Sequence, residues 1–251
     1  MTPRALVWVI ASGLVTGMAA AQTGNSILDP SKTVTPELRG DIFMAKKEYR
    51  EAVDAFHEGS AKNPVLLNKM GIAYHQMLQL DSALKCYQQA VRLKKDYLEA
   101  INNIGTVYYA RKDFRRSITY YRRALKLAPQ EARSGSIYSN LGTAYFSRKQ
   151  YKEAAAAFQT ALTLDPDVFE HRNNYGVMLQ ERSVEERAKY HYYVAKLYAK
   201  TGRNELALQY LRKALEEGLK ERKQLATDPE FATLRDLKEF KDLLAQEPSV
   251  L

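Results

Sequence analysis

A set of marked residues recurs along this chain at fixed offsets, and that spacing restricts what the chain can fold into. Counted from Gly105, Tyr108 stands at +3, Ser117 at +12, Tyr121 at +16, Ala124 at +19 and Pro129 at +24. From Gly40 the same offsets reach Phe43, Ala52, Phe56, Gly59 and Pro64. From Gly71 they reach Tyr74, Ala83, Tyr87, Ala90 and Lys95, and from Gly142 they reach Tyr145, Ala154, Phe158, Ala161 and Pro166. Across these 24 slots the order is glycine, aromatic, small, aromatic, small, proline, and only Lys95 departs from it. Glycine makes up about 7% of an average protein, so four in register mark an internal repeat.

Each copy reads as two amphipathic helices joined by a short polar turn, at Arg111–Asp113 in the central one. Small residues let two helices approach closely, and proline ends the second by removing a backbone donor. Aromatics fill the remaining space, and Tyr121 is expected between its own helix pair and the next. One pair cannot bury its apolar face alone, so copies must stack. The pattern resembles the tetratricopeptide repeat, a helix–turn–helix of 34 residues. That resemblance implies an all-α protein, a right-handed α-solenoid. Its packing positions would be Gly40, Gly71, Gly105, Gly142 and Gly176, with Tyr74, Tyr87, Tyr108, Tyr121, Tyr145 and Phe158.

Four segments are expected. Residues 1–21 carry Arg4 as their only charge, then an apolar run ending Ala19-Ala20-Ala21 before Gln22. This is the pattern of a secretory signal peptide cleaved after Ala21, with an uncleaved anchor as the alternative. Residues 22–34 read as a flexible leader and residues 35–217 as the solenoid. Residues 218–251 read as capping helices, starting at Asp228-Pro229 and carrying Phe231, Leu234, Leu237, Phe240, Leu243 and Leu244. Their wording resembles the closing segment of many bacterial tetratricopeptide proteins, which together with the signal pattern of residues 1–21 implies an exported bacterial member.

Spacing between repeat glycines is 31, 34, 37 and 34 residues. The short interval falls at Asn63-Pro64, where proline opens the next helix. The long one contains Ser134-Gly135-Ser136, read as a flexible turn. A difficulty arises after Gly176. Its offsets give Leu179, Ala188, Tyr192, Ala195 and Lys200, but Ala195, Tyr198, Ala207, Leu211 and Ala214 fit a second register with Gly202 in the turn. The preferred reading has Val184–Lys200 closing a fifth repeat and Arg203–Glu217 following as the next helix. Ser183 and Glu186 form a capping box at its start.

Catalytic signals are missing. His57, His75, His171 and His191 form no metal-ligand pair with each other or with the single Cys86, and no phosphate-binding glycine loop or nucleophile motif is present. Neither an enzymatic activity, a metal nor any other cofactor is expected. Cys86 precedes Tyr87 and reads as a semi-buried, inert thiol. The formal net charge of +9 can attract acidic partners, membrane surfaces or nucleic acid, and does not by itself choose among them. Arg111, Lys112, Arg115, Arg116, Arg122, Arg123 and Lys126 make the third repeat basic; export argues against nucleic acid as the partner.

Asparagine is the sharper signal. Asn103, Asn140 and Asn174 stand two residues before repeat glycines, and Asn68, Asn102 and Asn173 stand three before. In the tetratricopeptide family first helices line a concave groove, where asparagine at the first of these positions forms a ladder holding an extended peptide in some members. A carboxamide both donates and accepts, so it can pair with a backbone of any sequence. The peptide groove is therefore expected at Asn68, Asn103, Asn140, Asn174, Lys69 and Tyr109, with the amides exposed in the free protein. The expected function is a non-catalytic scaffold of the cell envelope, periplasmic or secreted, that binds a protein or peptide. The alternative is an adaptor adsorbing to an anionic envelope surface, membrane or cell-wall polymer, through its basic outer face.

Overall fold

The computed structural model describes residues 34–170, 183–220 and 224–245; the proposed signal, most of the leader, and Gly176 with its neighbours lie outside them. The described residues hold eleven α-helices and no strand. They fall into antiparallel pairs: α1 (Pro36–Ala45) with α2 (Tyr49–His57), α3 (Pro64–Gln76) with α4 (Leu80–Leu93), and α5 (Leu98–Ala110) with α6 (Phe114–Leu125). Next come α7 (Gly135–Ser147) with α8 (Tyr151–Leu164), and α9 (Val184–Lys200) with α10 (Asn204–Glu216). A 3-10 turn (Pro229–Leu234) and α11 (Lys238–Ala245) follow. The architecture is an α-solenoid.

One contact closes each of the first four pairs. A Cβ placed on Gly40 would lie 2.2 Å from Phe56 Cε1; on Gly71, 2.5 Å from Tyr87; on Gly105, 2.7 Å from Tyr121; on Gly142, 2.5 Å from Phe158. All four rings are essentially fully buried. The aromatic at +16 therefore lies flat against the bare backbone of its own pair. This corrects the expectation for Tyr121, whose first contact is Gly105 of the same pair. The buried cluster around Tyr121 then runs on to Ile137, Leu141 and Ala144 of the next pair. The +3 aromatic does the inter-pair work: Tyr108 shares a cluster with Ala83 and Tyr87 of the preceding pair.

The turns are alike. Asp113 N–H donates to the Tyr108 carbonyl at 2.9 Å and Lys112 N–H to Tyr109 at 2.8 Å, the double bond of a Schellman ending. Equivalent bonds close the other turns, onto Phe43, Tyr74, Tyr145 and Tyr198. The residue at +7 adopts the left-handed conformation each time: Lys47, Leu78, Lys112, Lys149 and Gly202.

Gly202 settles the ambiguous register. It stands at +7 from Ala195, so α9 opens a pair with α10 instead of closing one. Tyr190 and Tyr193 of α9 pack on Phe146 of α7 at 5.9 and 5.7 Å, and Tyr193 stacks on Tyr151 of α8 at 5.4 Å. The reading that made Val184–Lys200 a closing helix is thus replaced by the second register. The capping of its start by Ser183 is present, the side chain accepting from Glu186 N–H at 3.2 Å.

Both irregular intervals have a local cause. Asn63 accepts from Val65 and Leu66 N–H groups and Pro64 occupies the first turn of α3, so that helix starts at once. In the long interval Ser134 is fully buried and donates to the Ala128 carbonyl, and Gly135 begins α7. The expected flexible turn is in fact a fixed one. At the other end, Phe231, Leu234, Phe240 and Leu243 are buried in one cluster with α9 and α10.

Replacing Gly142 by Ala should destabilise the protein by about 1–2 kcal/mol, the overpacking penalty exceeding alanine's helix preference of about 1 kcal/mol. Urea unfolding measures it, and adding Phe158→Leu should restore part of the loss. A Gly142→Ala protein more stable than the parent would contradict the ring-on-backbone contact.

Candidate functional site: the face of the first helices

Successive first helices touch, α3 with α5 and α5 with α7, and the contact is polar. Offsets from each repeat glycine order it. Lys69, at −2 in α3, reaches Glu37 Oε1 at 2.8 Å and Asp41 Oδ2 at 2.6 Å, which stand at −3 and +1 in α1. Asn103 Nδ2, at −2 in α5, donates to Asn68 Oδ1, at −3 in α3, at 3.0 Å. Asn140 Nδ2, at −2 in α7, donates to Asn102 Oδ1, at −3 in α5, at 3.3 Å. Asn102 Nδ2 in turn donates to Asn103 Oδ1 at 3.3 Å. Four carboxamides thus form one chain across three pairs, and a lysine with two carboxylates extends the same rule to the first.

This changes the role of the predicted groove residues. Asn68 and Asn140 are only 6% and 5% exposed, while Asn102 and Asn103 are half-buried. The row of amides exists, but it joins first helices to one another and is not laid open to solvent. Lys69 is no free cation either. Burial works to lower its pKa, but hydrogen bonds to Asp41 and Glu37 outweigh that and hold it above the ordinary value. Tyr109 is 8% exposed, lies 5.2 Å from the Phe114 ring, and shares a 3.0 Å hydroxyl hydrogen bond with Ser147 of α7. It too belongs to the joint between first helices. Asn173 and Asn174 lie outside the described residues.

The rule persists at the far end with other chemistry. Tyr192, at −3 in α9, donates its hydroxyl to Asp228, and Lys196, at +1, pairs with Asp228 Oδ2 at 3.1 Å and Glu230 Oε2 at 3.2 Å. Asp228 also caps the 3-10 turn by accepting from Glu230 N–H at 3.2 Å. Burial pushes the Asp228 carboxyl up, but the hydrogen bonds from Glu230, Tyr192 and Lys196 carry it down to about 2. The Pro229–Leu234 turn therefore sits where a further first helix would, and closes the array.

What the seam leaves exposed is a strip at −6 and +5: Val65 and Gln76 on α3, Glu99 and Ala110 on α5, Ser136 and Ser147 on α7, all half-buried or exposed. Sequence reasoning overlooked this strip. The signal was there, since apart from Val65 these are small or polar positions flanking the asparagines. Elsewhere, Cys86 is 7% exposed and burial lifts its thiol to about 11, which makes it inert as expected. His191 is buried and shares a 2.7 Å bond with Glu217; burial lowers its pKa.

Known proteins bear on this geometry. Family profiles described as tetratricopeptide repeat match residues 96–167 and 188–217, and one described as TPR repeat matches 71–111, together about half of the chain. The chain belongs to the tetratricopeptide repeat family. The 188–217 match falls on α9 and α10, in agreement with their pairing. A curated relative, the uncharacterized protein ycf37 of Guillardia theta, is 32% identical over 95 residues, 35% of this chain; the chain spans about half, 53%, of that relative's length. Among solved structures, a chain of the APC/C hetero-tetramer Cut9–Hcn1 is similar with a TM-score of 0.52 at 19% identity, covering 83% of this chain and 35% of that one. A crystal structure of MamA gives 0.48 at 20% identity, covering 71% and 93%. At these identities the likeness is one of fold.

The tetratricopeptide seam yields a stability prediction opposite to that for exposed amides. Asn102→Ala removes bonds to both Asn103 and Asn140 and leaves the buried Asn140 donor unmet, at a cost of about 1–3 kcal/mol. Chemical unfolding of the single variant tests this, and a change of only a few tenths would mean the amides are not structural.

Proposed function

We propose that this protein is a non-catalytic interaction scaffold that holds an extended polypeptide along the strip between its first helices. Membership of the tetratricopeptide family supports a protein partner. The observation that carries the reading is the strip itself: small or polar residues recur at −6 and +5 in three consecutive pairs, beside the seam, with the exposed Val65 as the one apolar member. The half-buried Asn102 and Asn103 spend one amide hydrogen each on the seam, so each keeps a second donor for a ligand backbone. Specificity would then come from Val65, Glu99 and their neighbours.

A random peptide library selected against the purified protein tests this. Enriched peptides should bind a Val65→Lys, Ala110→Arg variant about tenfold more weakly, equivalent to about 1.4 kcal/mol, with no change in folding. These substitutions touch the strip and spare the seam. Equal binding by parent and variant would overturn the groove reading.

We also propose that the protein is exported, on the strength of residues 1–21, and acts in the cell envelope. Trp8 is the only tryptophan and lies in that segment. The exported form should begin at Gln22 and lack tryptophan fluorescence. An intact mass retaining residues 1–21 would instead support an anchored form.

A further inference from the structure

The turns between paired helices form a second surface, adjoining the end of the first-helix strip where Ala110 and Ser147 precede Arg111 and Arg148. Between the third and fourth turns lies a recess of about 390 Å³ lined by Arg111, Lys112, Asp113, Phe114, Arg115 and Arg148. Four of the six are cations. Arg111 pairs with Asp81 of the preceding pair. The one acid, Asp113, is engaged within α6: it accepts from Arg116 N–H at 3.1 Å and pairs with Arg116 Nε at 3.0 Å. Among the described residues no carboxylate pairs with Lys112, Arg115 or Arg148. Phe114, set by its 5.2 Å contact with Tyr109, adds an aromatic surface.

The backbone indicates that these charges are not demanded by the fold. Lys112 and the adjoining Lys149 each hold φ of 60°, a conformation for which glycine is the default. The last turn uses Gly202 at the same position with φ of 75°. Leu78 fills the same position in the second turn with φ of 59°, so the turn does not require lysine, and Lys112 stands beside a recess lined by four cations and one acid. These cations are exposed, so they attract an incoming anion over a range set by salt screening.

We propose that this recess binds an acidic segment of a partner protein, with carboxylates on Lys112, Arg115 and Arg148 and an apolar side chain on Phe114. The half-buried Phe114 beside exposed cations offers an apolar contact as well as charge, which favours an acidic polypeptide over a layer of headgroups. The inference stands without the first-helix groove, because it uses none of the same residues.

The test is anisotropy of a fluorescein-labelled Asp/Glu-rich peptide carrying one central Phe, titrated with the full chain at low salt. Lys112→Gly, Arg115→Gln and Arg148→Gln combined should weaken binding about tenfold. Lys112→Gly keeps the turn, because glycine adopts its φ without strain. A control with Lys46→Gln, Arg50→Gln and Lys62→Gln removes the same charge from the first pair and should stay within about twofold of the parent. Equal loss in both variants would reduce the effect to net charge and overturn the proposal. So would binding to phosphatidylglycerol vesicles without binding to the peptide.

Discussion

A ring lying on bare backbone is the contact on which the rest of this structure depends. With no Cβ on Gly40, Gly71, Gly105 or Gly142, the facing aromatic comes to the backbone itself, and the two helices of each pair are fixed in distance and roll. Everything else follows from that placement. The same close approach puts the +3 aromatic against the preceding pair and turns the −3 and −2 positions toward neighbouring first helices. Nearest-neighbour stacking of such units is what makes a solenoid.

The repeat contact was legible because it is local. Gly105 and Tyr121 are 16 residues apart within one unit, so spacing alone reveals them. The asparagine seam was not legible, although its residues were singled out. Asn103 meets Asn68 across 35 residues and Asn140 meets Asn102 across 38, and whether such amides face a neighbour or a ligand depends on how pairs stack. That angle is set by side-chain packing between units, which no spacing reports. The role of α9 was an intermediate case. Its two registers could have been separated beforehand by the turn, since a left-handed residue at +7 recurs and Gly202 supplies it only in the second.

Burial and charge are distributed to match. Apolar contacts carry the joints within and between pairs, while the seam linking α1, α3, α5 and α7 is polar, and α7 meets α9 through aromatic rings. A buried polar contact gives little net stability, but leaving one partner unmet is expensive. The seam therefore contributes more to specifying which helices meet than to holding them together. The closing turn obeys the same logic: Asp228 meets Tyr192 and Lys196 as an incoming first helix would, and Phe231 and Phe240 then cover the open core.

The seam also works as an addressing code for the order of the pairs. The third pair presents an amide on both sides, Asn103 backward and Asn102 forward. Excising it would leave Asn140 facing Asn68, still amide to amide. The second pair is not interchangeable in this way. Its Lys69 requires the carboxylates of Glu37 and Asp41, and anywhere later in the array it would set a half-buried cation against a carboxamide. The first junction is thus set by charge and the next two, α3 to α5 and α5 to α7, are alike, so the array can lengthen or shorten there while its beginning stays fixed.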